Sequence, residues 1–446
     1  MTKPVSRPAK RPRRPGTPAA APAQRQSGKA AKTGKTPRHF AIIGAGMAGV
    51  VCARTLVQAG HQVTVFEKLS KAGGRTTTID SPFGSLDAGA QYSTVRDPRF
   101  AQAIDTVPGV CRPWSANAVR VLDAAGRVAA AGLPTREPHW VASPGMNALV
   151  TTWAAPLLQA GQLITDTRVS SIERDPLNGT HWQVRTEGQG GAQHVYAGFD
   201  AVLLAQPATP AQALLAVSGL DTPLNAALSR VTTAPCWTLM LAYPQAVRPD
   251  LTTLGPQWNA ARSTHHRISW LARESSKPGR TTVERWTVQA SPAWSAEHLE
   301  DDADRVQSKL LKAFSEVTGI RAQPAHADTR RWRYAQTTQP LGQSHLWDAS
   351  LALGAWKTPL CPAWRWHSPW HDARRRGPTG GHHLPGPLRP LAHRPAACGL
   401  AGGGTGQLAG CAGLEQGTRR TLAGAHRRHR HTALRAWRRR SHPAAV

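Results

Sequence analysis

The chain has 446 residues, with 55 Lys and Arg against 26 Asp and Glu, for a formal net charge of +29. That balance suggests a nucleic-acid binder, but the excess sits at the ends: residues 1–38 hold 11 basic side chains and no acid, residues 355–446 hold 16 against Asp372 and Glu415, and the stretch between carries 28 against 24. No apolar run approaches the roughly 20 residues of a bilayer-spanning helix, and the six cysteines include no Cys-x-x-Cys pair, so the body reads as a globular protein of the cytoplasm with no membrane partner and no metal site.

Residues 1–38 are rich in Pro, Ala, Lys and Arg and almost lack large apolar side chains, so they read as a disordered basic tail. Arg13-Arg14 is not followed by the apolar segment of an export signal. Gly28 to Thr36 fails as a phosphate loop, because five residues rather than four separate Gly28 from Gly34. Phe40-Ala41-Ile42-Ile43 then forms an unbroken apolar run, as expected of a parallel strand covered on both faces. Gly44-Ala45-Gly46-Met47-Ala48-Gly49 follows, then a helical pattern with Val50, Ala53 and Val57 on one face and Gly60 at its end. A second strand, Gln62 to Phe66, ends in Glu67.

Each part of this stretch has a physical job. Gly44 permits the tight turn, Gly46 lets backbone approach a pyrophosphate, and Gly49 lets the helix pack on the sheet, while the helix N-terminus offers N–H groups and positive potential to phosphate. Glu67 lies 18 residues past Gly49, close to the roughly 20 at which an acid reaches ribose hydroxyls. Strand, glycine triplet, helix, strand and acid in register predict a site for the ADP half of a dinucleotide.

Further along, Val119 to Val128 reads as a hairpin, Ile164 to Arg174 as a strand carrying Val169, and Ala201 to Ala205 as a buried strand ending at Gln206-Pro207. Ala234 to Ala242 and Thr281 to Gln289 read as strands of a second domain. Ala296 to Thr318 reads as one helix, with Leu299, Ala303, Val306, Leu310, Phe314 and Val317 on its apolar face and Gly319 closing it. Glu300, Asp301, Asp302 and Asp304 are read as a solvated face rather than an acid/base pair. Cys52 and Cys236 are read as packing residues.

Ala72-Gly73-Gly74-Arg75 and Leu86-Asp87-Ala88-Gly89-Ala90-Gln91-Tyr92 resemble the FAD-dependent amine oxidase superfamily, and within it the renalase-like branch. The resemblance continues through Phe83 to Asp87, Arg96 to Phe100, Pro144-Gly145-Met146, Pro235-Cys236-Trp237, Ile268-Ser269-Trp270, Ser275 to Gly279 and Arg331 to Ala335, and so covers about residues 39–354. It implies an α/β fold, with a Rossmann-like FAD-binding domain and a second mixed-sheet α+β substrate domain. The expected division gives the FAD-binding domain residues 39–110, 140–210 and 325–354, and the substrate domain residues 111–139 and 211–324. FAD is expected to meet Gly44, Ala45, Gly46, Met47, Ala48, Gly49, Glu67, Lys68, Gly74, Arg75, Ala90, Gln91 and Val169, with Arg75 at the phosphates and Val169 along the adenine. The implied activity is oxidation of an amine or a reduced nicotinamide-type small molecule, with oxygen as acceptor. In such enzymes the cofactor supplies the chemistry, so no general base is named. Trp140, Trp237, Trp270, Trp286 and Trp332 are candidates either for the substrate pocket or for the core.

After Gly354 the chain turns to Arg, Gly, Pro, His and Trp and loses periodicity. Relatives continue here with a Cys-Gly-Asp-Trp-like motif and a helix beneath the flavin ring, whereas this sequence reads Ala355-Trp356-Lys357-Thr358-Pro359. A frameshift near codon 355 accounts for that composition, and residues 355–446 are expected to be an aberrant basic tail. Five arginines around His426, His429 and His431 argue against a metal there, and nonspecific, salt-sensitive nucleic-acid binding is the expected behaviour of so basic a segment. Two alternatives stay open: a non-catalytic remnant that has lost its C-terminal flavin-binding segment, and a basic nucleic-acid-associated protein with a Rossmann core.

Overall fold

The computed structural model describes residues 36–115, 119–130, 138–246, 256, 258–343 and 345–356. The basic tail before residue 36 and the tail from residue 357 onward, with its His426 to His431 run, lie outside the described residues. At the centre is a six-stranded sheet in the order His345–Asp348, Leu353–Trp356, Ala201–Leu204, His39–Ile43, Gln62–Phe66, Leu163–Ile164. All neighbours pair in parallel except the edge strand His345–Asp348. Ala355 and Trp356, which the sequence reading puts at the start of the aberrant tail, complete a regular strand of this sheet.

The apolar run at 40–43 is continuous because both faces of its strand are covered. Phe40 and Ile42 pack with the helices Met47–Gln58 and Ala148–Gln159, while Ala41 and Ile43 pack with Ala208–Val217, Pro223–Ser229 and a three-stranded antiparallel sheet over Thr167–Arg174, Trp182–Gly188 and Gln193–Phe199. Phe40, Ile42 and Ile43 each contribute about 1.5–3 kcal/mol through burial. The first helix buries Met47, Gly49, Val50, Ala53 and Leu56, so the expected apolar face is turned by one residue and Val57 stays 38% exposed. Gly60, at φ 86°, ends it as expected.

The second sheet has seven strands in the order His326–Gln339, Thr232–Tyr243, Glu284–Ala290, Ile268–Arg273, Ala260–Ser263, Arg120–Leu122, Val128–Ala130. Its pairings are antiparallel except Ala260–Ser263 with Arg120–Leu122. The α/β Rossmann-like unit with a second mixed sheet is therefore present, and His326–Gln339 lies in the second sheet although the third FAD-binding segment was expected to start at 325. One face of this sheet packs Leu239, Leu241, Trp286 and Val288 against Val306, Leu310 and Phe314. The other face turns toward residues 85–92.

Two predicted elements are corrected. The helix expected over 296–318 is two helices, Pro292–Glu297 and Ala303–Thr318, because Asp302 caps the second by accepting from Asp304 N and Arg305 N. Leu299 and Ala303 accordingly leave the buried face, while Gly319 closes the helix at φ 74°. The strand expected over 164–174 is also two, Leu163–Ile164 and Thr167–Arg174, divided at Asp166 with φ 52° so that each half joins a different sheet.

Candidate functional site

In an open parallel sheet, ligands bind beyond the carboxyl ends of the strands where the strand order reverses. Here that point is the end of His39–Ile43, which has Gln62–Phe66 on one side and Ala201–Leu204 on the other. Gly44 leaves the strand at φ 106°, a conformation that favours glycine. A Cβ on Gly49 would run into the Gly44 carbonyl, so that glycine is fixed by packing. Gly46 differs from both. Its φ is −74°, it stands at the N-cap of the helix, and a Cβ there would meet nothing closer than the Gly74 Cα at 3.8 Å. No side chain caps the helix and no acid lies in its first turn, where Ala48 follows the buried Met47. Glu67, at the end of the second strand, accepts from Ala45 N at 2.7 Å and Leu69 N at 3.0 Å. Burial pushes its carboxyl above the usual range, against the pull of those backbone donors. Lys68 beside it is exposed.

The opposite wall is the turn Gly73–Gly74–Arg75. Gly73 N donates to Ala45 O at 3.0 Å, and a Cβ on Gly74 would come within 3.1 Å of the Gly46 Cα, so the two glycine backbones pack directly against each other at the edge of the crevice. Arg75 Nη1 donates to Ala335 O at 3.3 Å. Burial draws its guanidinium down to about 10, and among the described residues no carboxylate pairs with it. Behind Arg75 lies the 88–91 segment: Ala90 N donates to Arg75 O at 2.9 Å, and a Cβ on Gly89 would strike that same carbonyl.

The sequence matches the family described as flavin containing amine oxidoreductase over residues 131–360, just over half the chain. The chain belongs to that family. The NAD(P)-binding Rossmann-like domain matches over residues 42–106. Among curated relatives, YobN of Bacillus subtilis (strain 168), provisionally named an L-amino-acid oxidase, is 51% identical over 47 residues, 10% of each chain. The L-amino acid oxidase Lm29 of Lachesis muta is 55% identical over 42 residues, 9% of this chain and 8% of its own. The chain thus matches about a tenth of the length of these relatives. A putrescine oxidase structure with bound putrescine has the same fold, with a TM-score of 0.55 at 12% identity over 74% of this chain and 95% of that one.

For a flavin containing amine oxidoreductase the cofactor is FAD, and the crevice fits its dinucleotide part. A helix N-terminus with neither cap nor acid is open to an anion, Gly46 presents no side chain against one, and Arg75 is a half-buried cation with no carboxylate partner among the described residues. Backbone at 44–49 with Arg75 would hold the pyrophosphate, and Glu67 the ribose. Thr167 N donates to Glu67 O at 2.9 Å, so the strand carrying Val169 starts at the ribose end. Val169 itself is half-buried at a bulge in the pairing with Trp182–Gly188. Gln91, expected near the flavin, turns its side chain inward: Nε2 donates to Asp87 O at 2.6 Å and Gly89 O at 3.1 Å, and Oε1 accepts from Lys277 at 3.3 Å.

That contact opens onto a charged cluster which the reading of the sequence did not single out. Asp87 and Glu274 face Lys277 and Arg280 at 2.7–3.2 Å, and all four side chains are fully buried. Asp87 also accepts from Thr78 Oγ1 and Met146 N, both at 2.8 Å. Burial opposes the charge on both carboxylates. At Asp87 the nearby Lys277 and Arg280 prevail and hold it well below the usual carboxylate range, whereas at Glu274 burial prevails and raises it. The only trace in the sequence is that charged residues interrupt motifs that are otherwise apolar or turn-forming.

The tryptophans divide. Trp237 and Trp286 belong to the core under the helices, and Trp270 packs with Tyr92 and Trp114. Trp332 donates to Ala88 O at 2.9 Å, beside the 88–91 segment. Glu300 and Asp301 pair with surface Arg and Lys. Cys52 is half-buried on the first helix, and the buried Cys236 thiol is pushed up to about 12, in keeping with packing residues. No described helix is long and apolar enough to cross a membrane.

Proposed function

We propose that the chain is an FAD-dependent oxidase of the renalase-like branch, oxidising an amine or a reduced nicotinamide-type small molecule with oxygen as acceptor. The observation that carries this reading is the uncapped helix N-terminus at Gly46, packed on Gly74, with the half-buried Arg75 beside it and no carboxylate paired to that arginine among the described residues. The chemistry that bound FAD would supply is acceptance of a hydride from the donor carbon, with oxygen as the final acceptor and hydrogen peroxide as product. The protein's part is to bind and orient. The 44–49 backbone and Arg75 neutralise the diphosphate, Glu67 accepts from the ribose, and Val169 lies along the adenine. Ala90 and the backbone around it form the approach to the ring. The relatives, L-amino acid oxidases and a putrescine oxidase, support an amine as the first donor to test, and the Pro235-Cys236-Trp237 and Ser275 to Gly279 motifs support the renalase-like branch. We divide the body into an FAD-binding part over 39–110 and 140–210 and a substrate part over 111–139 and 211–339, with residues after 339 returning to the FAD-binding part. Cys52, Cys111 and Cys236 form no disulfide among the described residues, which suits the cytoplasm.

The test is the visible spectrum of the purified chain and of Gly46→Val. Wild type is expected to carry yellow flavin and the variant to lose it while unfolding at the temperature of flavin-free wild type, because a Cβ at 46 meets nothing closer than the Gly74 Cα at 3.8 Å. Yellow Gly46→Val protein sinks the assignment of the loop. A second reading, a remnant that folds but no longer holds flavin, is favoured by the family match ending at residue 360, near the proposed frameshift. Colourless wild-type protein supports it, and a family-like ending in no alternative frame of the DNA around codon 355 removes the frameshift.

A further inference from the structure

We propose that Lys277 is a positioning residue for the cofactor crevice: acting through Gln91 and the Ala88–Ala90 backbone, it fixes the wall formed by Arg75. The inference rests on the reading of that crevice as the diphosphate site of FAD.

An ammonium has three N–H donors, and Lys277 uses them on Glu274 at 2.7 Å, Asp87 at 2.8 Å and the Gln91 Oε1 at 3.3 Å. The third bond has a directional consequence. With its oxygen held by Lys277, the Gln91 amide must turn its NH2 toward the carbonyls of Asp87 and Gly89. Without Lys277 the buried Gln91 Oε1 loses that donor, and the side chain loses the bond that ties it to the cluster. The same Gly89 carbonyl also accepts from Gln289 Nε2 at 2.7 Å, and the Ala88 carbonyl from Trp332 Nε1 at 2.9 Å, so the second sheet grips this segment from one side. On its other side the segment grips the crevice wall, through Ala90 N to Arg75 O at 2.9 Å and Ala88 N to Thr77 O at 3.1 Å. Gly89 lies against the Arg75 carbonyl with no room for a Cβ. A shift of residues 88–90 is therefore transmitted to Arg75 and to Gly74 next to it.

Stability alone does not account for the lysine. Buried ion pairs seldom outperform apolar packing of the same volume, and the lysine's third bond goes to a neutral amide rather than to a charge.

The experiment is titration of the full-length chain, freed of flavin, with FAD, together with thermal unfolding and the visible spectrum of the bound flavin. Gln91→Met keeps all four charges and removes only the relay. It is expected to weaken FAD binding about tenfold, the equivalent of one lost hydrogen bond, with an altered flavin spectrum. Lys277→Met is expected to weaken binding at least as much. A lysine with a merely structural role would lower the unfolding temperature and leave the FAD affinity, measured well below that temperature, unchanged. Both variants binding FAD within about twofold of wild type overturns the proposal. Should Lys277→Met fail to fold, Gln91→Met decides alone by the same criterion. Wild-type protein that binds no FAD sinks the crevice reading and this inference with it, whereas wild-type binding with unchanged variants sinks only this one.

Discussion

The glycine crevice and the charged cluster lie on opposite sides of the segment from Arg75 to Gln91, and they solve opposite problems. In the crevice, the N-terminus of the first helix has neither cap nor acid, and the half-buried Arg75 guanidinium has no carboxylate partner among the described residues. In the cluster, two carboxylates and two cations pair with one another, and all four side chains are buried. The difference teaches where a ligand belongs. Polar groups that are buried and mutually paired hold structure, whereas those arranged around a space that side chains avoid are held for something else.

That contrast breaks most visibly at Asp87. Asp87→Asn preserves an acceptor for Met146 N but leaves Glu274 alone against Lys277 and Arg280, which is expected to cost about 3–5 kcal/mol at neutral pH. The pH dependence has a definite sign. A carboxylate held lower in the folded chain than in the unfolded one stabilises at pH above its ordinary value of 3.8, and that contribution is lost as the pH falls further. The gap between wild type and Asp87→Asn in denaturant unfolding should therefore stay constant through the neutral range and narrow below pH 3.8. A gap that already narrows near neutrality would mean that Asp87 is not ionised in the cluster.

The next contrast lies within the crevice. Gly49→Ala places a Cβ against the Gly44 carbonyl and is expected to cost about 1–3 kcal/mol by overpacking, whatever the ligand present. Substitution of Gly46, where only Gly74 lies nearby, is expected to spare the fold and affect FAD alone. If Gly49→Ala unfolds at the wild-type temperature, the close packing of helix on strand described here is wrong.

How much of this was legible in the sequence follows from the range of the interactions. The crevice was legible almost residue by residue, since the strand, glycines, helix and Glu67 are contiguous and each is dictated by local backbone physics. Even there Val57 was placed on the buried face in place of Leu56, because glycine spacing does not fix helix rotation. The helix at 296–318 was read as one because apolar spacing runs through Leu299 and Ala303, and the capping role of Asp302 was hidden among neighbouring acids. The break at Asp166 was hidden for a related reason: a left-handed residue between two apolar stretches leaves no mark on alternation. The cluster was the least legible. Asp87 and Lys277 are 190 residues apart, and only the packing of the second sheet onto the 85–92 segment brings them to 2.8 Å.

The smallest effect is expected at Glu300, and it supplies the control for the comparison. Arg333 Nη2 meets Glu300 at 2.8 Å, almost the 2.7 Å at which Arg280 Nη2 meets Asp87, so the two contacts share chemistry and distance. They differ in surroundings: the Glu300 side chain is 68% exposed and that of Asp87 is fully buried. Water and salt screen an exposed pair, and ordering its long side chains offsets most of what the contact contributes. Glu300→Gln is accordingly expected to leave both the unfolding temperature and the FAD affinity within error of wild type at low and at high salt. A clear loss of stability in that variant would show that Arg–carboxylate contact itself, rather than burial, carries the effect predicted at Asp87, and the contrast between an open crevice and a closed cluster would then need a different physical basis.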